Sequence, residues 1–180
     1  MNHHKIALVG MPGSGKSTVG RDLACLTGWT FLDLDAWLIQ RWSLSISEQF
    51  HAWGEARFRM REREALQHLL KQQGSFVLAT GGGTPIWHNQ MNLLLKVTVV
   101  VWLDVAPDEI ARRLAQSPGV RPLLSSPNAA APTAQEALNR IQSLYDERRP
   151  IYAKAHIRVE ANSSPAELAR KILQAIESDL

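Results

Sequence analysis

Apolar and β-branched residues gather into five short runs: KIALV at 5–9, WTFLD at 29–33, FVLAT at 76–80, VTVVVWL at 97–103 and HIRVE at 156–160. The stretches between them change to a helical pattern, at 15–26, 36–41, 45–50, 54–72, 88–95, 107–115, 134–153 and 165–178. Strands that alternate with helices predict an α/β layer architecture, a five-stranded parallel sheet covered by helices on both faces. One stretch breaks the rhythm. SPGVRPLLSSPNAAAPTA at 117–134 is rich in Pro, Ala and Ser and has no period, so it reads either as a disordered insertion or as a lid over about 116–134. With no internal repeat and no domain-scale linker, the 180 residues are expected to form a single domain over 1–180.

Composition narrows the class of function. A chain that is 45% hydrophobic and 21% charged is an ordinary globular protein, and its longest apolar run falls far short of the roughly 20 residues that cross a bilayer. The N-terminal MNHHKIALVG has no secretory apolar region before a small-residue cleavage site, so a cytoplasmic location is expected, with no membrane contact. The one cysteine, Cys25, cannot form an internal disulfide and is expected to be an inert core thiol among Leu23, Ala24 and Leu26. Twenty Lys and Arg against seventeen Asp and Glu leave a charge of +3. That excess fits a nucleic-acid surface weakly, and equally fits a small site that gathers arginines around anions, so the arginine positions must decide.

The first chemistry follows the first run. GMPGSGKS at 10–17 matches the G-x-x-x-x-G-K-[ST] phosphate loop, with an apolar strand before it and an amphipathic helix after it. Glycines there let backbone N–H groups curl around phosphate oxygens, and the helix N-terminus adds positive charge. Gly13, Ser14, Gly15, Lys16, Ser17 and Thr18 are the candidate ATP-binding residues, with Lys16 directed at the β- and γ-phosphates and the Ser17 hydroxyl at Mg²⁺. The loop alone leaves the fate of the γ-phosphate open.

FLDLDA at 31–36 supplies two carboxylates two residues apart, on one side if the chain is still extended there. Asp35 could simply cap a helix that begins at Ala36. Beside a phosphate loop, at the carboxyl rim of a parallel sheet, a chemical role is favoured: Asp35 to orient an acceptor hydroxyl and take its proton, Asp33 to hold the metal through water.

GEARFRMRERE at 54–64 carries Arg57, Arg59, Arg61 and Arg63. Residues two apart on a helix point to opposite faces, so these arginines form no single stripe, which argues against a nucleic-acid ridge. Arg59 has Glu55 four residues before it and Glu62 three after, a pair able to hold its guanidinium, although surface ion pairing would look the same. Gly81, Gly82 and Gly83 follow the third strand and permit close backbone approach to a small polar ligand, or form a plain turn. Arg121 lies before a proline in the lid segment, where a mobile arginine can close over phosphates. Arg148, near the end of a long helix, could as well serve the helix dipole.

Taken in order, GMPGSGKS, D-L-D, G-E-A-R-F-R-M-R-E, T-G-G-G, R-P-L-L and R-R-P-I-Y, between residues 10 and 152, resemble the shikimate kinase family. The resemblance implies ATP- and Mg²⁺-dependent phosphorylation of the shikimate 3-hydroxyl on the route to chorismate and the aromatic amino acids. It implies a P-loop kinase sheet of order 2-3-1-4-5, with acceptor-binding helices over about 34–72. Asp35, Arg59, Gly81, Gly82, Gly83 and Arg148 would bind shikimate, and Lys16, Asp35 and Arg121 would carry the transfer. Arg113 matches a position that packs on adenine, and NSSP at 162–165 matches the adenine loop. The protein is expected to act as a monomer on ATP and shikimate, without nucleic acid. Leu34 stands where the family usually has a small polar residue, and the stretch from Arg121 to Arg148 is longer than usual. The alternatives are a related kinase for another polyol acid such as gluconate, or a non-catalytic nucleotide-binding regulator.

Overall fold

The computed structural model describes residues 5–116 and 133–178. In chain order the elements are β1 (Lys5–Val9), α1 (Lys16–Thr27), β2 (Thr30–Asp33), α2 (Leu34–Trp42), α3 (Ile46–Leu70), β3 (Phe76–Ala79), α4 (Gln90–Val97), β4 (Val99–Asp104), α5 (Pro107–Gln116), α6 (Ala134–Tyr152), β5 (Ile157–Glu160) and α7 (Pro165–Ser178). Every strand pair is parallel, in the order β2-β3-β1-β4-β5. Ile6 lies beside Val77 on one side and Val99 on the other, and Leu8 beside Ala79 and Val101. The three inner strands are nearly continuous apolar runs because helices cover both their faces, whereas the edge strands β2 and β5 remain partly exposed.

The helices bury one stripe each. In α1 the stripe is Val19, Gly20, Leu23 and Ala24, and in α7 it is Leu168, Ala169, Ile172 and Ile176. These two helices pack on each other. Because β1 pairs with β3 on one side and β4 on the other, the chain changes direction across the sheet at β1, which opens a crevice at its carboxyl end. Gly10, Asp33, Thr80 and Asp104 all lie at that rim.

Three expectations change, while the helices expected at 45–50 and 54–72 are the two arms of α3, which opens with a Ser45–Glu48 capping box and breaks at Gly54. Gly54 has φ 71° and ψ 162°, a conformation closed to most side chains. Helix α2 starts at Leu34, earlier than expected, because the Asp33 side chain accepts from Ala36 N at 3.1 Å and caps it. Asp35 is therefore on a helix, so the aspartates do not share one extended face. The run at 97–103 begins with a helix end: Val97 closes α4, and the Thr98 hydroxyl donates to Leu94 O at 2.8 Å. Cys25 is exposed, since it falls opposite the buried stripe of α1.

Candidate active site

The phosphate loop is closed by its own atoms. Lys16 is 8% exposed and its Nζ donates to Gly10 O at 3.0 Å, Met11 O at 2.8 Å and Ser14 Oγ at 3.4 Å. Burial lowers its pKa from 10.5 to about 8; Asp35 and Asp33 pull it back up, and Arg148 adds to the lowering. An ammonium held this way is preformed for phosphate and poorly compensated without it. Gly13, Ser14, Gly15, Ser17 and Thr18 line the same cleft, whose volume is about 1340 Å³.

Asp33 and Asp35 face different tasks. Asp33 accepts from the Ser17 hydroxyl at 2.5 Å through one oxygen and caps α2 through the other. This ties the second strand to the phosphate loop. Asp35, half-buried in the first turn of α2, has its pKa raised from 3.8 to about 6, chiefly by burial, with Glu62 and Asp33 adding to the rise and Lys16 and Arg59 opposing it. A carboxyl so placed can take a proton near neutral pH.

Arg59 is held as its neighbours in sequence implied. Its guanidinium donates to Glu62 at 2.9 Å and lies 3.5 Å from Glu55. Glu62 is 1% exposed, and its other oxygen accepts from the Thr84 hydroxyl at 2.7 Å. The acceptor helix is thus linked to the turn after β3. That turn needs glycine for a steric reason: a Cβ on Gly83 would come within 2.8 Å of Arg59 Cζ, and one on Gly82 within 2.5 Å of Pro12 Cδ. A Cβ on Gly81 would lie 3.1 Å from an oxygen of Asp35. The glycine triplet is where the phosphate loop, the acceptor carboxylate and Arg59 meet.

The other arginines of that helix go elsewhere. Arg57 and Arg63 are exposed, and Arg61 stacks over Trp53 at 3.7 Å and Trp42 at 4.4 Å.

Arg148 lines the cleft from α6, and its Nη1 is buried without a hydrogen-bond partner among the described residues. A buried, unsatisfied guanidinium nitrogen is costly unless a ligand serves it. Arg113 reaches from α5 to Ser14 O and Ala161 O, at 3.4 Å each, and its Nε donates to Glu109 at 2.7 Å. It bridges the phosphate loop to the residue that precedes the 162–165 turn. Ser163 and Pro165 of that turn also line the cleft. Arg121 and most of the lid segment lie outside the described residues.

The structure adds residues that sequence reasoning passed over. Thr84 and Pro12 carried no visible signal, since each acts by touching a segment far away in the chain. Tyr152 had one: it lies four residues after Arg148, on the same face of α6.

Comparison with known proteins comes to the same place. A family model described as shikimate kinase matches residues 12–177. The chain is 43% identical over 174 residues to a shikimate kinase of Synechococcus sp. (strain RCC307), covering 94% of this chain and 82% of that one. It is 36% identical to that of Sulfurihydrogenibium sp. (strain YO3AOP1), covering 96% and 97%. Among solved structures, shikimate kinase from Acinetobacter baumannii in complex with shikimate superposes with TM-score 0.88 at 34% identity, covering 99% of this chain and 95% of that one. A gluconokinase from Sinorhizobium meliloti 1021 covers 97% of this chain and 91% of its own, with TM-score 0.62 at 18% identity, which is likeness of fold alone.

Proposed function

The chain belongs to the shikimate kinase family, and from that premise we propose that its cleft transfers the γ-phosphoryl group of ATP to the 3-hydroxyl of shikimate, giving shikimate 3-phosphate and ADP. The observation that supports this most is the position of Asp35, half-buried between Lys16 of the nucleotide wall and Arg59 of the acceptor wall and electrostatically coupled to both. In the proposed reaction the acceptor oxygen attacks phosphorus in line, the bond to the ADP oxygen breaks, and the hydroxyl proton passes to Asp35.

Arg59 and the unpartnered Arg148 nitrogen would take the acceptor carboxylate, while Asp35 and the backbone of Gly81, Gly82 and Gly83 would take its hydroxyls. Lys16 would bind the β- and γ-phosphates. Gly13, Ser14, Gly15, Ser17 and Thr18 would complete the triphosphate cradle, and Arg113 would pack on adenine. Arg121, which lies outside the described residues, is assigned by its place in R-P-L-L to stabilise the transferring phosphate.

The residues present fit a Mg²⁺ ion. The Ser17 hydroxyl and the Asp33 carboxylate are hard oxygen donors already within 2.5 Å of each other. Among the described residues no cluster of three or more His, Cys, Asp or Glu could hold a metal by itself, which suits an ion that shares its shell with phosphates and water. Bound with ATP, Mg²⁺ would neutralise charge on the β- and γ-phosphates. Among the described residues no helix is long and apolar enough to cross a membrane. We assign the protein to the cytoplasm as a monomer, since both walls of the cleft come from one chain.

A coupled ADP-release assay with Mg²⁺-ATP and shikimate, gluconate, quinate and nucleoside monophosphates tests the assignment. Turnover is expected with shikimate; a rate no higher than the acceptor-free ATPase background would overturn it.

A further inference from the structure

Tyr152 closes α6 one turn after Arg148 and is fully buried, 0% exposed. Its hydroxyl donates to the carbonyl of Gly82 at 2.6 Å, 70 residues earlier in the chain. The same oxygen lies 4.0 Å from Met11 Sδ in the phosphate loop, and the ring lies against Trp102 of β4, with centroids 6.0 Å apart. Gly82 in turn has the Pro12 ring on its Cα, so close that no Cβ would fit. One phenol therefore touches the glycine turn and the phosphate loop, and stands on the helix that carries Arg148.

We infer that Tyr152 is a positioning residue for phosphoryl transfer: its hydroxyl fixes the glycine turn to α6, and so sets the distance from the phosphate loop to the acceptor wall and aims Arg148. The inference rests on the proposed placement of the acceptor against Arg148 and the glycine triplet. Several features suit the role. A tyrosine needed only to fill the core would be replaced by phenylalanine at little cost, but here the hydroxyl satisfies a carbonyl in a turn whose backbone faces the ligand. Burial pushes the phenol up to about 12, so it remains a donor throughout the working range and takes no part in proton transfer. The Arg148 guanidinium acts on the same oxygen, which couples the two side chains. In-line transfer between two separately bound substrates is sensitive to sub-ångström changes in their separation, so a loosened wall costs turnover before it costs binding.

Tyr152→Phe keeps the ring and removes the hydroxyl, and with it the bond to Gly82 O. Expected is a fall in kcat of about tenfold with a rise in shikimate KM of no more than about threefold and no change in ATP KM, because the phosphate loop is closed by its own atoms. Constants are normalised to the folded fraction read by near-ultraviolet circular dichroism, and assays at reduced temperature in trimethylamine oxide keep a less stable variant folded. A variant with wild-type constants and only a lower melting temperature would overturn the inference. A double-mutant cycle with Arg148→Lys supplies the second test. If Tyr152 acts through Arg148, the Tyr152→Phe loss is smaller in the Arg148→Lys background, whereas strictly additive losses would count against it. Unchanged shikimate KM in Arg148→Lys overturns the acceptor wall and this inference together. Raised KM there, beside wild-type constants in Tyr152→Phe, overturns the inference alone.

Discussion

The phosphate cradle of the nucleotide wall comes from one continuous stretch, GMPGSGKST, and closes on its own backbone. The acceptor wall comes from four segments, at Asp35, Arg59 with Glu62, Gly81 to Thr84, and Arg148 with Tyr152, and side chains close it. The first is a property of local sequence, formed wherever a strand meets that loop and a helix. The second exists only once the sheet has brought distant segments together. Substitutions in the nucleotide wall should therefore act at one residue, and those in the acceptor wall should spread through contacts.

Asp35 stands between the walls and carries the largest expected effect. Asp35→Asn should lower kcat about 10²- to 10⁴-fold, the usual contribution of a positioned proton acceptor, with ATP affinity held within a few-fold. The wild-type kcat/KM profile should fall on its acid side through about pH 6, where this carboxyl gains its proton. In the variant that limb should disappear. A kcat within tenfold of wild type would move the proton to another group.

Lys16→Met follows, with a loss of about 10²- to 10³-fold in kcat as the charge on the transferring phosphate loses its partner. Because among the described residues Lys16 bonds only to its own loop, shikimate affinity measured by calorimetry should not change. A large fall in shikimate affinity would show that the walls are less independent than their bonding implies.

The acceptor wall answers in the other sense. Gly83→Ala places a methyl group against the Arg59 guanidinium, which must move, and Arg59 is tied to Glu62 and through it to Thr84. The expected outcome is a rise of roughly tenfold in shikimate KM with a smaller change in kcat, since the displaced arginine faces the non-reacting end of the acceptor. Steady-state kinetics read this directly. Equal losses in kcat and kcat/KM would place Arg59 nearer to the reacting oxygen.

The same contrast explains what could be read from the chain before its fold was known. The sheet, the phosphate loop and the pair Arg59–Glu62 were legible because each depends on residues within a turn of one another, and the strand order followed from family resemblance. Asp35 was found, but on the wrong backbone: the cap that ends the strand belongs to Asp33, whose side chain accepts from Ala36 N three residues on and so starts the helix at Leu34. The division of 45–72 into two helices was legible too, and it falls at Gly54, whose backbone is non-helical. Thr84 and Pro12 were not legible at all, and Tyr152 only through its spacing from Arg148. Their partners are 22, 70 and 70 residues away in sequence, at Glu62, Gly82 and Gly82, and only the folded sheet makes them neighbours.

The smallest effect concerns stability and joins the two walls. Asp35 has a folded pKa of about 6 against its ordinary 3.8, so between those values the folded protein holds a proton that the unfolded chain has released, and stability falls as pH rises through that window. Asparagine carries no such penalty. Asp35→Asn should thus be more stable than wild type above about pH 6, by about 1–3 kcal/mol, while being the least active of these variants. Lys16 keeps the gain below the full linkage value. Its folded pKa of about 8 lies below its ordinary 10.5, a penalty present below pH 8 and relieved as pH rises, and removing Asp35 takes away a charge that offsets it. As pH falls below about 4 the wild-type carboxyl is neutral in both states, and the two proteins should unfold at the same denaturant concentration. Urea titrations at pH 7.5 and pH 4 measure the gap at each end. A gap that persists undiminished at pH 4 would mean the gain comes from packing, and that the buried charge between the walls is not what limits stability there.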